Sequence, residues 1–249
     1  MVAARLDQRC SYCFYCPVDV REQLPLRNLL VYIHGEGRGA QYLLNKFRLL
    51  AKECGYLLVC PLFPANILRD GNLAGYKYLS EGEIRYDDIL LDIVAEVRGA
   101  FDFEESRFLL GGFSGGGQFV HRFFYLHPEV LKSVSIAAPG SVTLLDDKSD
   151  WWVGTQSISE FFGKRIDVEA LRQVNIQMIV GDADARDDET VFTPDKSYWN
   201  LAGRNRVERL KSLYKSFEAN DVKATLQIIP GVGHSISGLL PYLTDFLKQ

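Results

Sequence analysis

Between residues 108 and 117 an apolar run stops among five glycines gathered around one serine, Phe108-Leu109-Leu110-Gly111-Gly112-Phe113-Ser114-Gly115-Gly116-Gly117. Few backbones accept such a segment. Each glycine in a regular element costs about 0.5–1 kcal/mol relative to alanine, so a cluster implies a sharp turn or a close backbone approach. Phe108 to Gly111 reads as a buried strand, and Gln118-Phe119-Val120-His121-Arg122-Phe123-Phe124 as the helix after it. Gly112-Phe113-Ser114-Gly115-Gly116 between them has the form G-x-S-x-G. In that geometry a strained strand-to-helix turn lifts the serine hydroxyl above the edge of a sheet. A glycine-rich turn with a solvated serine has the same sequence, so the partners of Ser114 decide between the two.

The rest of the chain alternates strands with helices. Residues 11–20 read as an edge strand ending near Pro17. Leu29-Leu30-Val31-Tyr32-Ile33 is continuously apolar, as parallel strands covered on both faces are. It exits through His34-Gly35-Glu36-Gly37-Arg38-Gly39 into a helix with Leu43, Leu44, Phe47, Leu50 and Ala51 on one face, stopped by Gly55. A strand covers Tyr56 to Pro64. A long polar and aromatic loop then runs from about Ala65 to Arg85. Ile89, Leu90, Ile93, Val94 and Val97 mark a helix over Tyr86 to Phe101. Beyond the serine turn come a strand from Val130, a strand at Ile176 to Val180, a helix from Arg206 to Glu218, a strand at Ala224 to Pro230, and a last helix. This order predicts an α/β fold in one domain, a doubly wound, mostly parallel sheet with helices on both faces. Residues 141–173 break the rhythm with Trp151-Trp152 and Phe161-Phe162. They read equally as a small cap over a pocket or as a satellite apolar cluster under a loop.

Composition removes other classes. A chain of 249 residues that is 47% hydrophobic can bury such a sheet, and its formal net charge of -4 gives it no attraction to nucleic acid or anionic membrane. The Arg204 to Lys215 cluster reads as the solvated face of one helix. No stretch has the apolar length of a signal peptide or a membrane span, so a soluble, cytoplasmic protein is expected. The five cysteines read as free thiols rather than a disulfide frame. Cys10, Cys13 and Cys16 lack a fourth ligand at family spacing and fit an apolar first strand. No metal or organic cofactor is implied. A homodimer stays open.

A serine hydroxyl is a weak nucleophile and needs a base at hydrogen-bond distance, and the base needs an acid to fix its tautomer. His34, His121, His127 and His234 are the histidines. His234 sits in a glycine-framed loop straight after a strand, on the rim where Ser114 must lie. It is the expected base. The acid should leave a strand between the two, and Gly181-Asp182-Ala183-Asp184 does. Asp184 is preferred, with Asp182 the alternative that would brace the loop instead; Asp187 and Asp188 are expected in solvent. A developing oxyanion needs two backbone N–H groups. Gly115 supplies one at a helix N-terminus. Glu36, or next Gly35, supplies the other from the loop after the strand at 29–33. Tyr76, Tyr78, Trp151 and Trp152 are candidate pocket walls.

His34-Gly35-Glu36-Gly37, Gly112-Phe113-Ser114-Gly115-Gly116, Gly181-Asp182-Ala183-Asp184 and Gly233-His234, in this order, resemble the α/β-hydrolase superfamily of serine hydrolases over essentially the whole chain. The size is similar to its compact carboxylesterase, dienelactone-hydrolase and depolymerase-like branches. The resemblance implies Ser114 as nucleophile, His234 as base, Asp184 as acid, and the Glu36 and Gly115 amides around the oxyanion. It implies a small-molecule ester or lactone as substrate, with amides, thioesters and C–C bonds beside a ketone as other possibilities. A binding protein with little turnover is the other class consistent with the fold. Glu36 departs from the small or apolar residue usual at its position. Its carboxylate should face the substrate or be tied to Arg38.

Overall fold

Side chains alternate across each central strand, and that alternation builds the two layers of the core. Leu29, Val31 and Ile33 enter one apolar cluster, while Leu30 and Tyr32 enter the other. A strand buried on both faces has no polar side to spare, which is why its sequence is unbroken.

The computed structural model describes residues 1–17, 26–186 and 202–248. Asp187 and Asp188 lie outside the described residues, as does the end of the expected strand at 11–20. In chain order the elements are β1 (Val2–Ala3), β2 (Ser11–Tyr15), β3 (Asn28–Ile33), α1 (Ala40–Cys54), β4 (Tyr56–Leu62), the hairpin β5 (Ser80–Glu81) and β6 (Ile84–Arg85), α2 (Tyr86–Ala100), β7 (Phe108–Phe113), α3 (Gly115–Leu126), β8 (Leu131–Ala137), α4 (Ile158–Phe162), α5 (Val168–Leu171), β9 (Asn175–Gly181), α6 (Arg206–Glu218), β10 (Thr225–Ile229) and α7 (Ile236–Leu247).

One sheet has the order β1-β2-β4-β3-β7-β8-β9-β10. From β4 to β10 every neighbouring pair is parallel. The antiparallel strands β1 and β2 close one side, so β2 is an inner strand rather than the edge. α1 and α7 cover one face, burying Leu43, Phe47, Leu239 and Leu243. α2, α3 and α6 cover the other, burying Ile89, Ile93, Phe119, Phe123, Leu210 and Phe217. Among the described residues no helix is long and apolar enough to cross a membrane. Cys13 and Cys60 are register partners across β2 and β4, both in the core.

The chain winds outward from β3 to β4 and then crosses to β7 on the other side of β3. The strand order therefore reverses between β3 and β7. Loops leaving the C-terminal ends of these two strands diverge and open a crevice, the position where sheets of this kind hold ligands.

Two further expectations need correction. The stretch from Ala65 to Arg85 is not an open loop. It holds a 3-10 turn at Gly75–Tyr78 and the β5–β6 hairpin, because Tyr76 and Leu79 anchor it in the core. The basic cluster at 204–215 is not only a solvated face. Arg209 is 1% exposed, with its guanidinium donating to the carbonyls of Gly203, Arg204 and Gly140. Residues 141–173 place Val142, Leu145, Ile158, Phe162 and Leu171 in the cluster that covers the α2, α3 and α6 face of the sheet.

Candidate active site

The glycines at 112–117 are each explained by a neighbour. A Cβ on Gly112 would strike the backbone of Gly116, so strand β7 and helix α3 close directly on one another. A Cβ on Gly116 would run into the carbonyl of Ile33 at the end of β3, and one on Gly117 would lie 2.7 Å from the carbonyl of Ala137. The helix is thereby seated over the ends of three strands. Ser114, on the turn between, has φ 59° and ψ -114°, a conformation that costs a non-glycine residue of order 1–3 kcal/mol. Its N–H donates to the Ala137 carbonyl at 2.9 Å, and its carbonyl accepts from the Gln118 N–H at 3.1 Å.

His234 meets that serine from the loop after β10. Its Nε2 lies 3.0 Å from Ser114 Oγ. Its Nδ1 lies 2.7 Å from Asp184 Oδ2. A carboxylate only accepts, so Nδ1 carries the proton and Nε2 offers its lone pair to the hydroxyl, which donates. The ring of Phe113, the residue before the serine, stacks on the imidazole at a centroid distance of 4.6 Å. Asp184 is 4% exposed, and its other oxygen faces Arg206 Nη1 at 3.4 Å.

Asp182 does something else. Its Oδ1 accepts the Gly231 N–H at 2.7 Å. The Asp182 N–H donates to the Ile229 carbonyl at 3.0 Å, and the Ala183 N–H to the Val232 carbonyl at 3.1 Å. These bonds join the loop of the acid to the loop of the histidine. Gly181 has no side chain because a Cβ there would strike the Val232 carbonyl.

The loop after β3 is held as firmly. The Gly35 carbonyl accepts from His34 Nδ1 at 2.7 Å and from the Arg38 N–H at 3.1 Å. His34 Nε2 accepts the Phe63 N–H at 3.0 Å. The peptide unit is planar and trans, so the Glu36 N–H points opposite to the tethered Gly35 carbonyl. Glu36 N lies 3.3 Å from where a Cβ on Gly115 would sit, so the two candidate amides are neighbours. Arg38 donates to the carbonyls of Phe63, Glu36 and Leu73 at 3.1, 2.7 and 2.7 Å. The expected tie between Arg38 and the Glu36 carboxylate is absent, because the guanidinium is spent on backbone. The carboxylate pairs with Lys77 Nζ at 2.9 Å instead.

This arrangement requires a neutral His34, and burial, aided by the nearby Arg38 and Lys77 charges, pushes its pKa down to about 4. In the unfolded chain the ring takes its proton near the ordinary 6.5. As pH falls from 6.5 to about 4, the unfolded state binds a proton that the folded state refuses. Stability contributed by the neutral ring is thus present above 6.5 and lost across that window, by about 3 kcal/mol. Urea unfolding at pH 7, 5.5 and 4 should show this loss, and His34→Gln should flatten the dependence. An unchanged slope in that variant would contradict it.

The expected pocket walls mostly face elsewhere. Tyr76 is wholly buried; its hydroxyl donates to the His34 carbonyl at 3.2 Å and its ring lies against His34 and Phe63. It is a brace behind the loop, not a wall. Trp151 packs edge-on against Phe162 at 5.0 Å, turned toward the core. Tyr78 and Trp152, half-buried, meet each other edge to face at 5.2 Å, and the guanidinium of Arg122 lies over both rings. Arg122 is fully buried, and burial lowers its pKa to about 10, so it stays charged at neutral pH. It donates to Thr143 Oγ1 at 2.8 Å, the Lys77 carbonyl at 2.6 Å and Ser141 Oγ at 3.1 Å. One side chain thus ties the turn at 75–78 to the segment after β8. Sequence reasoning missed Lys77, Arg122 and Arg206. For Arg122 a signal existed, since a helix apolar on every side is buried and carries its arginine inward.

Among the described residues no group of three or more His, Cys, Asp or Glu side chains is placed to hold a metal. No protein-family model matches the chain, and no curated protein matches it in sequence. Solved structures do. Poly(aspartic acid) hydrolase-1 from Sphingomonas sp. KT-1 superimposes with a TM-score of 0.77 at 21% identity, over 96% of this chain and 93% of that one. A poly(3-hydroxybutyrate) depolymerase from Bordetella parapertussis gives 0.75 at 20%, over 96% and 85%. An S-formylglutathione hydrolase from Agrobacterium tumefaciens gives 0.63 at 19%, over 96% and 88%. At these identities the likeness is one of architecture, and the architecture is the α/β-hydrolase fold.

Proposed function

We propose that this chain is a serine hydrolase that cleaves a carboxylic ester or lactone through an acyl-enzyme on Ser114. One observation carries the reading: Ser114 Oγ, the His234 imidazole and the Asp184 carboxylate form one hydrogen-bonded line, with links of 3.0 and 2.7 Å. The hydrolase and depolymerase names of the three structural neighbours point the same way.

Ser114 Oγ attacks the carbonyl carbon while His234 Nε2 takes its proton. The carbonyl oxygen becomes negative beside the N–H groups of Glu36 and Gly115, already oriented and therefore not reorganised in the transition state. The C–O bond to the alcohol breaks as His234 returns the proton to that oxygen. Water then attacks the acyl carbon and gives a proton to His234. Collapse of the second tetrahedral species releases the acid and restores the serine. Asp184 keeps the proton on Nδ1 and stabilises the imidazolium at each step. Esters need the least activation of the carbonyl substrates, which favours them over amides.

A fluorophosphonate probe tests the chemistry. Covalent labelling of the folded protein that disappears in Ser114→Ala is expected. Folded protein that never labels is a binding protein of this fold. Hydrolysis of esters of rising chain length, lactones and an anilide then reports the bond type.

The two aspartates separate cleanly. Asp184→Asn should lower kcat by about 10^3–10^4-fold, since the amide stabilises the wrong imidazole tautomer. Asp182→Asn keeps an oxygen that accepts from Gly231, so its kcat should stay within about tenfold of the parent. The reverse order would transfer the acid role to Asp182.

A further inference from the structure

Lys77 is a cation at the candidate oxyanion site that the proposed chemistry does not use. Its side chain is 9% exposed. Its Cε lies 3.2 Å from where a Cβ on Gly115 would sit, beside Glu36 N at 3.3 Å. The Tyr76 hydroxyl meets the same point, so the Lys77 stem packs against the turn that carries the two candidate amides, and its ammonium reaches on to the Glu36 side chain. A nearly buried ammonium needs an anionic partner. Here the partner is the Glu36 carboxylate, 57% exposed, at 2.9 Å.

The two halves of this pair are held very differently. The Lys77 carbonyl is gripped by Arg122, the turn around it is anchored by Tyr76 and Leu79, and its aliphatic stem is enclosed. Glu36 keeps its backbone fixed through Arg38 and the neighbouring Gly35 carbonyl, but its carboxylate stands in water with Lys77 as its one ion-pair partner among the described residues. A carboxylate so exposed loses little on rotating back into solvent.

We infer that Lys77 is an anion receptor for the substrate, occupied in the free protein by the Glu36 side chain, which a carboxylate on the acyl part of the substrate displaces. This rests on the serine-hydrolase reading and names its substrate class: esters whose acyl chain carries a carboxylate a few bonds from the scissile carbonyl, as in half-esters of short dicarboxylic acids. The exchange is one carboxylate for another on the same ammonium, so no net charge is newly buried.

The test compares monoethyl succinate with ethyl butyrate, in which a methyl group replaces the carboxylate, by titrating released acid at constant pH. The readout is the ratio of the two kcat/KM values, which cancels damage common to both substrates. Lys77→Met should lower that ratio about tenfold to hundredfold, the worth of one hydrogen bond to a charged group. Glu36→Gln should raise it severalfold by removing the competing carboxylate while leaving the backbone N–H in place, and raised salt should lower it in the parent protein. If Lys77→Met does not fold, Glu36→Gln and the salt series carry the decision. A ratio unmoved by both variants, with both esters still hydrolysed, overturns the receptor and leaves the hydrolase standing. Fluorophosphonate labelling without any preference between the esters does the same. Absence of both labelling and turnover in folded protein overturns the hydrolase, and the receptor with it.

Discussion

Replacing Ser114 with alanine is expected to lower kcat on any accepted ester by about 10^6-fold, and replacing His234 in the same chain to cost almost nothing more. The two act as one unit: without Oγ there is no bond for the imidazole to help form, and without the imidazole the hydroxyl stays protonated. Each single loss therefore removes nearly the whole effect. What survives is binding plus the oriented amides of Glu36 and Gly115, worth about 10^3–10^4 over water. Steady-state rates of the parent, both single variants and the double variant decide it. Additive losses, with the double variant far below either single one, would mean that Ser114 and His234 act separately.

The second large effect concerns folding. At an exposed helical position, alanine is more stable than glycine by about 1 kcal/mol. Gly116 lies in the first turn of α3, so propensity alone predicts that Gly116→Ala stabilises. The structure predicts the opposite. The new methyl group would meet the Ile33 carbonyl, with the Ile33 carbonyl carbon at 2.9 Å and the His34 carbonyl oxygen at 3.0 Å. All are backbone of the strand end and loop that place the Glu36 amide, and none can rotate aside. A loss of about 2–4 kcal/mol is expected, from overpacking against rigid groups. Gly99→Ala, near the end of α2 with nothing within 4 Å, is the control and should gain about 0.5–1 kcal/mol. Urea midpoints for the two variants should move in opposite directions. A Gly116→Ala protein as stable as the parent would show that the helix can lift off β3.

Much of the fold was legible because each strand announces its environment. The unbroken apolar runs at 29–33 and 56–60 could only be strands covered twice, and β3 and β4 are. The helix at 206–218 has the bounds the pattern implied. The site was legible where it depends on glycines and loops at strand ends, which sequence displays directly. It was illegible where long polar side chains cross between distant segments. Lys77 reaches Glu36 over 41 residues, and Arg122 reaches the Lys77 carbonyl over 45. Local periodicity carries no trace of such a partnership. Tyr76 misled for a related reason. An aromatic in a polar stretch suggests a wall, but this ring is drawn inward by a carbonyl acceptor on the far side of the loop.

The bonds from Asp182 and Ala183 to the strand end and loop at 229–232 join the loops that carry the candidate acid and base into one unit. Imidazole and carboxylate are mounted on a common plate at the end of β9 and β10, and the hydroxyl on another at the end of β7. The 2.7 Å link lies within the first mount, and the 3.0 Å gap spans the two. The candidate nucleophile and base therefore sit on separate mounts, and strand β8, lying between them in the sheet, is the spacer that sets their separation.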